Sequence, residues 1–321
     1  MKAFIVWGCC LLSLLGFGAA AQPYPAKPIE MVVPGNAGAG SDIFARFVAD
    51  IIRTEQLIPQ PLVINNRGGG GGAIAFSYVV KKRGDPYSIL AVPTGMIMTA
   101  PLRSGLDIGL ERFRLLALLG FDINCLMVNA DSPYKTVQDL VAAAKAQPKS
   151  INVSIGSPGS TSHYFVYVLE KLTGARFNVV VMKSGTEAVT AVLGGHVHWS
   201  TGQISDALPH VEAGRMRILA VASQARLPGL AAVPTLKEQG FDMHIATGRS
   251  FAAPADIPDG AAQYLEALFE KVYKSAPWQQ NMRRNMMEEV YMNGAQFTQY
   301  LAARRSEFTQ FMSDMGLLKK K

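Results

Sequence analysis

The sequence predicts an α/β protein with parallel sheets, helices on both sheet faces and a helical C-terminal region. Three observations carry this. Short apolar runs alternate with helical patterns from residue 29 to residue 222. Glycine-rich turns join run to helix. Beyond Pro258 only helical patterns remain. A parallel strand needs a crossover to return, and a helix that covers the sheet supplies it.

The elements follow in order. Ile29 to Val33 reads as a buried strand, and Pro34 to Gly40 as a glycine-rich turn. Ser41 is placed to cap a helix whose apolar positions Ile43, Phe44, Phe47, Val48 and Ile51 have helical spacing. Leu62 to Ile64 is a second strand, Asn65 to Gly72 a turn, Ala73 to Lys82 a helix and Tyr87 to Val92 a third strand. The alternation resumes with strands at Leu126 to Asn129, Ile151 to Ile155, Asn178 to Met182, Val197 to Ser200 and Arg217 to Ala222. Between them lie helices at Thr136 to Ala146, Ser160 to Leu172 and Glu187 to Leu193. The tail reads as helices at Ala261 to Lys274, Pro277 to Asn285 and Ala295 to Met315. No Gly/Ser linker divides the chain, so two lobes would require it to cross between them more than once.

Composition excludes several classes. Of 321 residues, 49% are hydrophobic and 17% charged, against roughly 25% charged in an average soluble domain. Intrinsic disorder needs the reverse balance. Glycine and proline show no three-residue period, which excludes collagen. The length corresponds to about two domains, large enough to form a core without disulfide or metal staples.

Residues 1–21 read as a secretory signal peptide: Lys2, an apolar run from Ala3 to Phe17, then Ala19-Ala20-Ala21 before the cleavage point. A membrane anchor is disfavoured by the short run and the missing positive stop. A lipoprotein reading at Cys9 or Cys10 is disfavoured by the bulky Trp7 beside them. Without its leader the chain retains Cys125 alone, inside an apolar run, which suits a buried inert thiol and excludes an internal disulfide. The net charge of +7 is scattered, apart from Lys81-Lys82-Arg83 and Lys319 to Lys321. No basic helix interleaved with aromatics points to nucleic acid. The overall field favours anionic ligands.

Four turns share one design: Pro34 to Asp42, Asn66 to Gly72, Gly156 to Ser162 and Lys183 to Thr186. Each follows a strand and opens a helix. A helix N-terminus presents unpaired N–H groups and partial positive charge, and glycine lets a ligand approach that backbone. In open α/β sheets these ends lie together at the carboxyl edge of the strands. A cleft for an anion follows. Gly35, Gly38 and Gly40 lack dinucleotide spacing, and no phosphate-binding loop with its lysine exists. No nucleophile elbow, metal-spaced histidines or paired carboxylates stand out; His196 and His198 share a strand face without a third ligand. Asp42 reads first as an acid on the helix dipole.

The residues also resemble a family. Tyr24-Pro25-Ala26-Lys27-Pro28-Ile29, then Val32-Val33-Pro34 with Gly38, Ser41-Asp42 and Ala45-Arg46, are similar to the opening blocks of the Bug family. These are the extracytoplasmic solute receptors of tripartite tricarboxylate transporters. Asn66-Arg67 with its glycines, Gly84-Asp85-Pro86-Tyr87, Asn152 with Ser160 to His163, Leu193 to Val197, Ala207 to His210 and Val233 to Gly240 continue the pattern in order.

The resemblance implies a two-lobed periplasmic-binding-protein fold of the Venus-flytrap type. Lobe 1 would be residues 22–124 and 250–321, and lobe 2 residues 125–249. It implies a monomeric periplasmic receptor, not an enzyme, without a cofactor. Such a receptor captures a small organic carboxylate, a di- or tricarboxylate, and delivers it to membrane permease subunits. A sensor that presents its closed form to a signalling partner, or an exported α/β enzyme, would be the alternatives. Candidate ligand residues are Asn36, Gly38, Ser41, Asp42, Gly70, Gly71, Thr94, Ser157, Ser160, Thr161, Ser162 and Arg249.

The chain departs from the family pattern in its ligand loops, at Gly35-Asn36-Ala37, Ser154-Ile155-Gly156, Gly202-Gln203 and Arg249. Arg249 is expected either to be solvated, to pair with an acid such as Asp242, or to grip a ligand carboxylate through two parallel hydrogen bonds. In the last case, removing it should cost affinity and leave the stability of the ligand-free protein nearly unchanged.

Overall fold

A computed structural model describes residues 23–319. The leader at 1–21, with Cys9 and Cys10, lies outside the described residues. Two sheets share one long strand, and the chain enters both.

The first sheet begins with β1 (Ile29–Val33), β2 (Leu62–Asn66) and β3 (Ser88–Pro93). β1 is central and parallel to both neighbours. Crossovers run through α1 (Gly40–Thr54) and α2 (Ala73–Val80). The second sheet contains β5 (Asn152–Ile155), parallel to β6 (Asn178–Val181) and to β7 (Trp199–Gln203). Its helices are α4 (Val137–Ala146), α5 (Thr161–Thr173), α6 (Gly185–Leu193) and α7 (Ile204–Glu212). β8 (Met216–Val221) closes the second sheet.

The joining strand is β4 (Phe113–Asn129), 17 residues long and buried along nearly its whole length. Up to Ile123 it pairs antiparallel with β9 (Ala246–Pro254) in the first sheet. From Asn124 it pairs with β7 and β8 in the second. The sequence pattern recovered only the end of this strand, Leu126 to Asn129. The whole run is apolar because each half lies inside a different sheet, so no alternation marks it.

Two further expectations are revised. The sheets are not purely parallel, because β4 and β9 run antiparallel to their neighbours. The C-terminal region is not purely helical. After α8 (Asp259–Lys274) and α9 (Ala276–Arg284), the two-residue β10 (Met292–Asn293) pairs with β4 before α10 (Gly294–Asp314) begins. Two helices escaped the pattern: α3 (Thr94–Ser104) and α7 each contain an internal proline, Pro101 and Pro209, which reads as a breaker.

Hydrophobic cores flank each sheet. Around the first sheet, Phe251 stacks on Phe269 with ring centroids 3.9 Å apart, and the Trp278 indole N–H donates to the Leu119 carbonyl at 3.1 Å. Around the second, Trp199 packs between Phe165 and Phe177. Each such side chain contributes roughly 1.5–3 kcal/mol by leaving water. Cys125 is fully buried in β4, and burial pushes its thiol well above the ordinary range. The expected inert thiol is therefore what the fold contains.

The two halves also touch outside β4 and β9. Tyr164 of α5 stacks on Phe308 of α10, and Tyr167 packs on Phe311. The Tyr167 hydroxyl donates to Asp314 at 2.5 Å, and the Tyr164 hydroxyl donates to Glu307.

Candidate functional site

The carboxyl ends of the strands in both sheets face one cleft of about 460 Å³. Its walls are the turns that open helices. From the first sheet come Asn36 and Ser41 on the β1–α1 turn, the glycines Gly68 to Gly72, and Pro93 and Met96 where α3 starts. From the second come Ser157 to Ser162 before and into α5, Lys183 to Gly185 opening α6, and Gln203 and Asp206 opening α7. Thr247 and Arg249 of β9 form the floor. The expected convergence of helix N-termini is thus present, and two further turns, β3 to α3 and β7 to α7, join the four read from the sequence.

Of the candidate residues, the cleft brings together Asn36, Ser41, Gly70, Gly71, Ser157, Ser160, Thr161, Ser162 and Arg249. It leaves out Gly38, Asp42 and Thr94. Asp42 is 2% exposed. Its carboxylate accepts from Arg46 Nε at 2.9 Å, from the Gly38 N–H at 2.9 Å and from Asn66 Nδ2 at 2.9 Å. Burial opposes its ionisation, but these bonds outweigh it and hold its pKa below the usual carboxylate value. Asp42 therefore braces the β1–α1 turn from behind, with Gly38 as part of that brace. Thr94 accepts from the Gly248 N–H at 2.9 Å and faces a small separate pocket beside Phe121 and Tyr300. A Cβ at Gly248 would come within 2.4 Å of the Thr94 methyl, so this crossing of α3 over β9 requires glycine.

Ser41 is not the cap it was expected to be. α1 starts at Gly40, its N-cap is Ala39, and no side chain caps it. The first-turn N–H groups are therefore not taken by a capping side chain. In α5, by contrast, Ser160 caps by accepting from the His163 N–H at 3.3 Å. His163 is buried beneath the cleft loop, and its Nδ1 accepts from the Gly159 N–H at 3.1 Å. Burial, helped by the Arg103 guanidinium, pulls its pKa down to about 4. His198 is structural too, since its Nδ1 accepts from the Asn152 N–H at 2.9 Å. No group of side chains among the described residues could hold a metal ion.

Arg103 joins the two sides of the cleft. From α3 its Nη2 donates to the Gly70 carbonyl at 2.8 Å, and its Nη1 donates to the Pro158 carbonyl on the β5–α5 loop. The guanidinium occupies the space beside Gly71, where a Cβ would lie 0.9 Å from Nη2. Gly71 has φ +61°, a second reason for glycine there.

Arg249 is not solvated; it pairs with an acid, as one reading expected, but the acid is Asp122 and not Asp242. It is 8% exposed, and its Nη2 donates to Asp122 Oδ2 at 2.6 Å. The Ser205 hydroxyl donates to the same oxygen at 2.6 Å. A buried ion pair makes both partners part of the fold's energetics, which argues against a nearly unchanged ligand-free stability once Arg249 is removed. Above the pair stands Asp206, on the first turn of α7. Burial first, and the Asp122 carboxylate second, push its pKa up to about 6, against the opposing pull of Arg249. Gln203 Nε2 donates to Thr247 Oγ1 at 2.7 Å, and the Thr247 hydroxyl donates to Asn124 Oδ1 at 3.3 Å. Sequence reasoning missed Asp122, Asp206, Thr247 and Arg103. Asp206 was within its reach, because it opens a helix after a strand as the other turns do. Asp122 carried no signal, lying in an apolar strand.

Similarity to known proteins agrees with this geometry. Residues 44–317 match the family described as the tripartite tricarboxylate transporter family receptor. The chain is 30% identical over 235 residues to protein BugT of Bordetella pertussis, covering 71% of this chain and 70% of that protein. It resembles the crystal structure of a TctC solute binding protein from Polaromonas, with 30% identity, TM-score 0.70, and 91% and 99% of the two chains covered. It also resembles the structure of R. palustris Rpa4515 with adipate, with 26% identity, TM-score 0.84, and coverage of 91% and 98%.

Proposed function

The chain belongs to the tripartite tricarboxylate transporter receptor family, and on that premise we propose that it is a periplasmic receptor for a small organic carboxylate which it hands to membrane permease subunits. The observation that carries this is the meeting of six strand-to-helix turns on one cleft between two sheets. Backbone N–H groups at helix starts stabilise an anion without a dedicated cation. The family is one of receptors rather than enzymes, and one similar protein holds adipate.

The division of the chain belongs to the same proposal. Residues 22–124 with 250–321 would move as one lobe, and 125–249 as the other. β4 would bend where it passes between sheets, and the chain would bend at the start of β9. This is supported by the switch of β4 partners between Ile123 and Asn124. A ligand that touches both sides would favour the closed arrangement. Export by a signal peptide at 1–21 fits the apolar run there, and among the described residues no helix is long and apolar enough to cross a membrane. The receptor would act as a monomer.

Titration calorimetry and thermal unfolding with mono-, di- and tricarboxylates test the reading. At least one should bind, and at a free concentration 100 times its Kd it should stabilise the protein by about 2.7 kcal/mol. If sugars or cations shift the Tm and no carboxylate does, the proposal is wrong. Co-elution with the membrane subunits of a tripartite tricarboxylate transporter would test delivery.

A further inference from the structure

The cleft does not end at its floor. A second chamber of about 240 Å³ lies behind it and shares Gly40, Asp206 and Arg249 with the main cleft. Its walls include Phe44, Phe47 and Trp278, and Asp122 lies at its boundary. The junction between the two spaces is therefore made of two acids and one base.

Their hydrogen bonding is unbalanced. Asp122 is 1% exposed, and its Oδ2 already accepts from Arg249 and Ser205. Its other oxygen, Oδ1, is buried without a partner. Asp206 makes no hydrogen bond or ion pair with any described residue; it stands between the helix starts at Gly40 and Gly185, with Oδ1 4.0 Å and Oδ2 3.6 Å from the Cβ positions those glycines would respectively have. Arg249 balances one of the two carboxylates. The other cation lining the main cleft, Lys183, lies on the exposed start of α6. The junction thus has a surplus negative charge, and the two Asp206 carboxylate oxygens are free to accept in the floor of a cleft whose walls favour anions. A plain dicarboxylate placed there would bring a further negative charge beside Asp206, and burying an uncompensated charge is costly.

We infer that the ligand carries a cationic ammonium group beside its carboxylate, with the carboxylate on the helix N-termini and the ammonium seated against Asp206, above the buried Asp122 charge. The inference rests on the receptor reading above and narrows its ligand to amino-acid-like zwitterions. An ammonium supplies three donors and the one positive charge that would balance Asp206. A hydroxyl would supply a donor without neutralising the charge. Any remaining substituent has the aromatic-walled chamber beside it.

The test is calorimetry with matched pairs that differ only in an amino group next to the carboxylate: glutarate and glutamate, succinate and aspartate, 3-phenylpropionate and phenylalanine, hexanoate and norleucine. Malate joins the succinate pair as the hydroxyl member. The tightest-binding amino ligand should exceed its deaminated partner by at least tenfold. Asp206→Asn should weaken that ligand by tenfold or more and change the partner by less than threefold. Asp206→Ala should repeat the pattern, and cooperative thermal unfolding of both variants shows that they fold. Equal binding within the pairs, a preference for malate over aspartate, or an equal effect of Asp206→Asn on both members overturns the inference and leaves the receptor reading standing. Failure of every ligand in the panel and of every other carboxylate overturns both.

Discussion

Arg249 and Asp122 lie on neighbouring antiparallel strands, and their side chains meet beneath the cleft at 2.6 Å with almost no exposure of either. The pair ties β9 to β4 where β4 passes from one sheet to the other. It also sets the direction of the first prediction. Removing one member leaves the other charged, buried and unmatched, at a cost of about 3–5 kcal/mol. Arg249→Ala should lower the Tm of the ligand-free protein strongly, and Asp122→Ala likewise. Arg249→Lys should fall between, because an ammonium cannot reproduce the fork of the guanidinium. Unfolding by urea measures it. A ligand-free Arg249→Ala protein of normal stability would show that the pair contributes nothing.

His163 makes stability depend on acidity. Its pKa lies near 4 in the folded protein and near 6.5 in the unfolded chain. The unfolded chain therefore binds the proton first, and stability falls as pH drops from about 6.5 to 4. The loss should reach roughly 2–3 kcal/mol at pH 4. Protonation of Nδ1 also breaks its bond from the Gly159 N–H, so the β5–α5 loop should loosen in the same window. His163→Gln should flatten this part of the pH–stability curve, and urea melts from pH 4 to 7 would reveal it.

Asp206 has the opposite sign. Its pKa is raised from the ordinary 3.8 to about 6, so the folded protein holds the proton more tightly than the unfolded chain. Its contribution is favourable at low pH and is lost as pH rises from about 4 to 6. Asp206→Asn should therefore stabilise the ligand-free protein at pH 7 by about 1–2 kcal/mol, the full shift being discounted for contact with cleft water. No stabilisation at pH 7, or an equal gain at pH 4, would contradict the raised pKa.

Arg103 should act on closure. Its two carbonyl bonds hold Gly70 and Pro158 together across the cleft, and hydrogen bonds to a charged donor contribute about 1.5–3 kcal/mol each. Arg103→Ala should weaken ligand binding by tenfold or more, and small-angle scattering with ligand present should show a larger radius of gyration than for the unchanged protein. An unchanged affinity would make the contact incidental.

The α5 start separates capping from contact. Ser160→Ala removes the bond accepted from the His163 N–H and should cost about 1 kcal/mol of stability. Thr161 lines the cleft, and the loss of its hydroxyl should cost about 1 kcal/mol of binding with stability unchanged. Thermal unfolding and calorimetry on the two single variants distinguish these roles, and an effect of Thr161→Ala on stability alone would remove it from the site.

Local chemistry made much of this protein legible in the chain itself. The strands Ile29–Val33 and Asn178–Val181, the crossover helices α1, α4 and α5, and the glycine turns leading into the cleft all arise from neighbouring residues: apolar runs, caps, and backbone that only glycine adopts readily. The ordered blocks from Tyr24 to Gly240 carried the family. What the chain did not disclose depends on residues far apart in it. Asp122 and Arg249 are 127 positions apart, and Asp122 is an isolated acid in an apolar run until β4 and β9 pair. Asp42 looks like a cleft residue from its place on a helix start, and only the positions of Arg46 and Asn66 turn its carboxylate away. The unpartnered Oδ1 of Asp122 and the raised pKa of Asp206 arise from burial and from a neighbouring charge. Both are properties of the environment that packing creates, which no run of adjacent residues encodes.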